Sequence, residues 1–391
     1  MKKQILTIAS WYPNKNNPTL GNFVQKHTET VALYDDVSAI AIFSHEKPTY
    51  ELTQQVTNGV KEYICYYPKV TFPIPGIKQG LQFLRLKKAF NLAYQQFLAE
   101  NRKPDAVHLN IVYPLGYFAK KLKVKENISF IVTENSTVYH STTNTLPNWA
   151  LKACVRWMNH ASKITPVSTD LEKALKKLGV HVPMEIVPNV VNAKIFSELS
   201  PIFPEKTEFL HVSSAVDDHK NVSGIIRSIA ALCQMTTNFH FRIISDGNLA
   251  PFIDLAYKKL KIPTEILTFE GTKTTQEIAE AMNESSALVL FSNYENFPCV
   301  IPEMFMVGKP VISTPVNGIP EYVNAKNGIL VEKGNEQALT EALLAFIEKK
   351  VAFDDDAIRR YSMEHFSYEA VGKQFDRIFD EILQKHVSKD S

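Results

Sequence analysis

Two carboxylates, Glu295 and Glu303, stand eight residues apart in SNYENFPCVIPEMFMVGKPVIS, residues 292–313. The run between them is nearly all apolar and holds two prolines. A segment that only builds core has no use for carboxylates. Two of them aimed at a polyhydroxyl compound would accept hydrogen bonds from sugar or ribose hydroxyls. A helix opening between them, near Phe297 or Pro298, would add free backbone N–H groups and a site suited to phosphate. A sugar joined to a nucleoside diphosphate satisfies all three features. Taken alone, a pair of glutamates reads first as solvated helix-end carboxylates favoured by the helix macrodipole.

The elements that must position these residues are legible as short apolar runs. In the first half they are ILTIAS (5–10), VSAIAIF (37–43), YICYY (63–67), AVHLN (106–110), FIVT (130–133), KITPVS (163–168) and MEIVP (184–188). In the second half they are FLHVS (209–213), FRIIS (241–245), ILTFE (266–270), ALVLF (287–291), PVIS (310–313) and GILV (328–331). Strands alternating with helices predict parallel sheets covered on both faces, and two such series predict two doubly wound α/β domains. Thr169 with Glu172 reads as a capping box, with Leu171, Leu175 and Leu178 on one face and Gly179 as the stop. Val222, Ile225, Ile226, Ile229 and Leu232 form a buried stripe. A last helix from about Ser367 to His386 presents Val371, Phe375, Ile378 and Ile382. Strand patterning fails at 189–206, which places the join there. Doubly wound sheets bind ligands outside the carboxyl ends of their strands. The segments to interrogate are therefore 11–20 with Gly21-Asn22, ENSTVYH, SAVDDHKN and SNYENFPCVIPE.

The 391 residues exceed one ordinary core. Composition is 45% hydrophobic and 21% charged, which argues against disorder. A net charge of +2 gives no global reason to expect nucleic acid. Cys65, Cys154, Cys233 and Cys299 have neither metal nor redox spacing. The first apolar run is too short for a signal peptide, and no run approaches a membrane span. No metal-ligand cluster is visible. Asp217-Asp218 lacks a strand-end context, and Asp354–Asp356 reads as a helix cap.

Three segments carry a resemblance: ENFPCVIPEMFMVGKPVISTPVNGIPEYV, VSTDLEKALKKLGV with EIVPNVVNAKIF, and EHFSYEAVGKQFDRIF. They resemble the family 4 retaining glycosyltransferases, whose Glu-x7-Glu motif matches Glu295 and Glu303. The resemblance implies the GT-B fold: two Rossmann-like domains facing a cleft and a C-terminal helix crossing back to the first. It implies an acceptor-side domain over 1–198, a nucleotide-sugar-binding domain over 199–366, and the returning helix over 367–391. Glu295 is then expected on the transferred sugar and Glu303 on the donor ribose. The amides of Asn296, Phe297 and Cys299 are expected on diphosphate or sugar oxygens; Pro298 has none to offer. The base is expected near Gly271 and Thr272, read through backbone. Lys220 matches the lysine of the family's basic pair on the phosphates, while Ser214 stands where the family has arginine. Glu134 stands where the family often has a histidine near the anomeric carbon. It reads as a sugar or acceptor contact, or as a strand-end turn residue. Gly21 reads as a close approach to the donor, or as a glycine that merely opens a helix. His108 reads as a half-buried strand histidine and His140 as a surface one.

The implied activity is metal-independent, retaining transfer of a hexose-type sugar, without cofactor, from a nucleoside-diphosphate sugar to a glycan or lipid-linked acceptor. The implied setting is capsule, exopolysaccharide or lipopolysaccharide assembly in the bacterial cytoplasm, at the inner membrane face. Other readings are a nucleotide-sugar epimerase or hydrolase of GT-B fold, and a weakly active partner subunit, which Ser214 and Glu134 would suit. FPIPGIKQGLQFLRLKKAF (72–90) mixes Lys78, Arg85, Lys87 and Lys88 with apolar residues. It reads either as a helix packed on the sheet or as an element grazing anionic lipid.

Overall fold

The computed structural model describes residues 2–140, 145–197, 199, 202 and 204–390, with side chains described as far as 384. It divides into two compact units. The first comprises Met1–Val167, Glu172–Val187 and Tyr368–Ser391; the second comprises Ser168–Leu171 and Pro188–Ser367.

The first unit holds β1 (Gln4–Ala9), β2 (Asp36–His45), β3 (Glu51–Thr57), β4 (Val60–Pro68), β5 (Ala106–Asn110), β6 (Ser129–Glu134) and β7 (Lys163–Pro166). Their order across the sheet is β3-β4-β2-β1-β5-β6-β7. All pairings are parallel except β3 with β4. That hairpin departs from the all-parallel expectation. β3 escaped the sequence reading because ELTQQVT, an exposed edge strand, has no apolar run to recognise. MEIVP is not a strand either. It runs beside β7, with the Glu185 and Val187 N–H groups donating to the Ile164 and Pro166 carbonyls at 3.0 and 3.1 Å. But Pro166 has no N–H to return a bond, and Met184 makes only an isolated bridge to Ile164.

The second unit holds β8 (Thr207–Ser213), β9 (Phe239–Ser245), β10 (Leu267–Glu270), β11 (Ala287–Leu290), β12 (Val311–Ser313) and β13 (Gly328–Leu330). All run parallel in the order β10-β9-β8-β11-β12-β13. This is the doubly wound order, and it reverses between β8 and β11. Phe209, Phe239, Phe241, Ile225, Ile226, Ile229 and Leu339 pack its core.

The second unit begins at Pro188, earlier than the expected 199, and residue 198 itself lies outside the described residues. Val191 bridges Ser367 in parallel and Phe196 is buried, which ties this stretch to the second unit. The terminal helix Tyr368–Asp390 belongs to the first. Phe375 meets the His27 ring at 5.7 Å. At Gly372 a Cβ would lie 2.6 Å from the Thr30 carbonyl oxygen, so only glycine lets the helices approach this closely. The helix Thr169–Lys177 is capped by Ser168, whose Oγ accepts the Leu171 N–H at 3.2 Å, and not by Thr169 as the capping-box reading expects.

Candidate active site

At the reversal point of the second sheet, two loops leave the carboxyl ends of β8 and β11. The first is held from below by His211, which is fully buried on β8. Its Nδ1 lies 2.8 Å from the Val289 carbonyl and its Nε2 2.8 Å from Ser213 Oγ. A carbonyl only accepts, so Nδ1 carries the proton and Nε2 accepts from the hydroxyl. Burial, with the Lys220 charge nearby, pushes this imidazole down to about 4, which keeps it neutral. Ser213 Oγ in turn accepts the Ala215 N–H at 3.0 Å, fixing a residue in the left-handed region at φ 51°. Gly247 packs against the same turn: a Cβ there would sit 2.1 Å from the Ser214 carbonyl oxygen. The turn Asp217–Lys220 follows. Asp217 grips Ser223 through both oxygens, at 2.9 Å to N–H and 2.7 Å to hydroxyl. Asn221 caps the next helix at 3.2 Å from the Gly224 amide. Lys220 therefore projects from a short segment anchored at both ends.

The second loop is tied to the first. The His219 carbonyl accepts the Asn293 N–H at 2.7 Å and the Tyr294 N–H at 3.3 Å. Glu295 is 6% exposed. Its Oε1 accepts from Lys220 Nζ at 2.6 Å and from Ser292 Oγ at 2.8 Å. Its backbone N–H reaches Asn317 Oδ1 at 3.4 Å, and Asn317 Nδ2 donates to Asp170 Oδ2 at 2.9 Å. The Asn296 carbonyl accepts the Gly318 N–H at 3.0 Å, where a Cβ would come within 2.4 Å. Asn189 Nδ2 donates to the Phe297 carbonyl at 2.6 Å, and the Phe297 ring packs on Tyr322 at 4.2 Å. The helix is Val300–Met306 with Cys299 as its cap, starting later than Phe297 or Pro298. Pro298 instead opens a turn, its carbonyl accepting the Ile301 N–H at 3.2 Å. Glu303 lies in the first turn of that helix and is 6% exposed.

The structure thus brings Ser214, Lys220, Glu295, Asn296, Phe297, Cys299 and Glu303 onto loops and a helix start after two neighbouring strands. Gly271 and Thr272 follow β10 at the sheet edge, with two strands between β10 and β11, and Gly271 is exposed with open space at its Cα. Sequence reasoning missed His211, Ser292, Asn317 and Gly318. The Asn-Gly dipeptide was the available signal for the last two; His211 sits inside an apolar run and gives none.

Gly21 and Glu134 belong to the first unit. Gly21 has φ 65°, and a Cβ would meet the Trp11 carbonyl carbon at 2.5 Å, so close approach of its own chain requires glycine. Glu134 is fully buried at the end of β6. Its Oε2 accepts the Val112 N–H at 3.0 Å and the Tyr139 hydroxyl at 3.1 Å. Its Oε1 accepts the Asn135 N–H at 3.1 Å and the Ser136 N–H at 2.9 Å. Burial pushes the carboxyl up and these four donors pull it back only in part. A carboxylate used this fully organises its loop, which favours the turn-residue reading over a sugar contact. His108 is fully buried rather than half-buried, with Nε2 2.7 Å from Thr133 Oγ1; burial pushes it down to about 3. It is a neutral core residue because β5 lies inside the sheet between β1 and β6.

Comparison with known proteins covers most of the chain. A family model described as Glycosyltransferase Family 4 matches residues 40–194, and one described as Glycosyl transferases group 1 matches 196–363. An uncharacterised glycosyltransferase of Methanocaldococcus jannaschii is 28% identical over 289 residues, which is 71% of this chain and 74% of that protein. The Bacillus subtilis protein TuaC, assigned as a glycosyltransferase of teichuronic acid biosynthesis, is 22% identical over 390 residues, 95% of each. Among solved structures, the sucrose-phosphate synthase of Thermosynechococcus elongatus superposes with a TM-score of 0.76 at 17% identity, over 98% of this chain and 100% of that one. Anabaena HepE in complex with UDP and glucose gives 0.71 at 14% identity, over 97% and 100%. Both structural likenesses are likenesses of fold.

Proposed function

Because this chain belongs to the family 4 glycosyltransferases, with the GT-B fold, we propose that it moves a hexose-type sugar from a nucleoside-diphosphate sugar to a glycan or lipid-linked acceptor. We place that step in the assembly of a bacterial surface polysaccharide, at the cytoplasmic face of the membrane. The observation that carries the reading is the half-buried Lys220–Glu295 pair at the point where the second sheet reverses its order. An ammonium group has three hydrogens to donate, and one of them is engaged by Glu295 among the described residues. A diphosphate entering this loop pair would meet a cation already positioned and already charge-balanced.

In this reading Lys220 stabilises the departing diphosphate, the kind of preorganised electrostatic contact that dominates such catalysis. Ser214 in place of the family arginine leaves Lys220 as the one side-chain cation assigned to that task. Glu295 orients the transferred sugar through its hydroxyls, and Glu303 holds the donor ribose. Transfer proceeds with retention at the anomeric carbon, and the leaving phosphate oxygen takes the acceptor proton. No protein base is assigned, and Glu134 is left out of the site. The relatives that support this are the Bacillus teichuronic acid protein and, for a uridine diphosphate and a sugar as ligands, Anabaena HepE.

A thermal-shift panel of nucleoside diphosphates and nucleotide sugars tests the reading. A true donor at 100 times its dissociation constant adds about 2.7 kcal/mol of stability. Absence of any shift across the panel would sink it. Diphosphate release that is indifferent to added acceptor would instead mark an epimerase or hydrolase.

A further inference from the structure

We propose that the first half of the Pro75–Glu100 helix is a docking element that seats on the anionic headgroup face of a phospholipid bilayer. The charge of the chain is segregated. Residues 63–169 carry fourteen Lys and Arg against four Asp and Glu, a net of +10 on a chain whose total is +2. The remainder is therefore at −8. From Tyr63 to Ala99 there is no acidic residue at all, and one of the four acids, Glu134, is buried and held by donors from the loops after β5 and β6.

The helix itself changes character along its length. From Leu86 onward it is an ordinary packed helix: Leu86, Ala89, Phe90, Ala93, Tyr94 and Phe97 are buried. Before Leu86 no residue of it is buried. Ile77 and Leu84 are 47% and 60% exposed, and Phe72 and Ile74 in the approach are 41% and 53%. Ile77, Leu81 and Leu84 follow i, i+4, i+7 and so form one ridge. Leu86, Phe90, Ala93 and Phe97 lie on the opposite side of the same helix. A packed amphipathic helix has one apolar stripe; this one has a second, facing solvent. Lys78 and Lys87 flank that ridge at helical spacing. Lys88 is 4.7 Å from the Tyr50 ring, and Arg85 donates to the Pro68 carbonyl at 2.8 Å.

The two features together select the occupant. Lys78, Arg85, Lys87 and Lys88, with no acid among residues 63–99 to answer them, disfavour a second copy of the same face, since like charges repel. A soluble polyanion answers the cations but offers nothing to the apolar ridge. An anionic bilayer answers both, with aliphatic side chains below the headgroups and lysines snorkelling among them. Among the described residues no helix is long and apolar enough to cross a membrane, so the contact is interfacial. This inference does not depend on the transfer activity.

Co-sedimentation of the full chain with phosphatidylcholine vesicles, with and without phosphatidylglycerol, tests it. Binding is expected only with the anionic lipid, and release is expected near 1 M salt, where screening shortens to about 3 Å. Ile77→Glu with Leu84→Glu should keep the circular dichroism spectrum and Tm and weaken binding at least about tenfold. Lys78→Ser with Lys87→Ser, which leaves the ridge intact, should weaken it roughly fivefold per charge removed. Equal binding to neutral vesicles, or binding unchanged by both pairs of substitutions, overturns the proposal. So does a wild-type dimer that the Ile77→Glu and Leu84→Glu variant converts to monomer, which would make the occupant a second copy.

Discussion

Glu134 closes β6 in the first unit, and Glu295 lies in the loop after β11 in the second. Each stands at the carboxyl end of a parallel strand, and each is almost wholly buried. Their partners differ. Glu134 is surrounded by donors from its own loop and from the loop after β5, three backbone amides and a tyrosine hydroxyl. Glu295 takes a lysine and a serine hydroxyl. The first arrangement is closed, because every contact fastens the chain to itself at the ends of β5 and β6. The second keeps donor capacity on Lys220 in hand. A buried carboxylate after a strand is therefore not a site by itself; what decides is whether its partner has hydrogens left to give.

The sharpest way to break this contrast is Lys220→Ala. If Lys220 acts on the leaving diphosphate, turnover should fall by roughly 10²–10³-fold, the scale of one lost preorganised donor. Lys220→Arg should recover part of the loss, since charge is kept though geometry is not. Steady-state kinetics with a soluble acceptor reads both. Near-normal turnover in the alanine variant would remove Lys220 from the chemistry and leave the pair as scaffold.

The converse change is Glu134→Ala. It strands four donors, three of them buried, each buried unsatisfied group costing about 1–3 kcal/mol. A loss of at least about 3 kcal/mol, or roughly 6–12 °C in Tm for a unit of this size, is expected from a scanning calorimeter. Donor affinity should not change. A variant with normal Tm and lost transfer would reverse the assignment and put Glu134 in the site.

The contrast was only partly visible in the sequence. Strands such as ALVLF and FLHVS announce themselves because a doubly covered parallel strand is a continuous apolar run. The loops after them then had to carry the ligand, which marked Glu134, Lys220 and Glu295 alike. Nothing in one dimension distinguishes a saturated carboxylate from an available one. The donors of Glu134 are mostly backbone amides, which every residue has. The ion pair spans seventy-five positions. β3 hid for the opposite reason, being a polar edge strand with no core face to betray it. The returning terminal helix was legible from its 3.6-residue stripe, but its depth of approach rests on Gly372, whose reason appears only in contact with Thr30.

A smaller effect sharpens the division of labour within the second unit. Glu303→Ala should weaken nucleoside diphosphate and intact donor alike, by roughly 1–3 kcal/mol, the scale of a hydrogen bond to a charged group. Glu295→Ala should leave diphosphate affinity unchanged or raise it, because Lys220 loses its competing carboxylate, while turnover falls. Titration calorimetry with the diphosphate and the donor separates the two. Equal losses of diphosphate affinity in both variants would refute separate roles.

The smallest expected effect concerns two buried imidazoles, His211 in the second unit and His108 in the first. Burial holds them at about 4 and about 3, against an ordinary value near 6.5. The sign follows from proton counting. Between those values the unfolded chain binds a proton that the folded chain refuses, so stability is fully present above pH 6.5 and declines as pH falls toward 4. From pH 7.5 to 6 each ring should cost about 1 kcal/mol. His211→Gln should remove that contribution from the second unit's acid slope and leave the first unit's in place. It should also loosen the Ser213–Ala215 turn and lower turnover, by less than Lys220→Ala does, because His211 acts on Lys220 only through that turn. Urea unfolding across the pH range, beside transfer rates, measures both. An acid slope in His211→Gln identical to the wild type would mean that the ring already carries a proton in the folded state. The neutral relay beneath Lys220 would then be wrong.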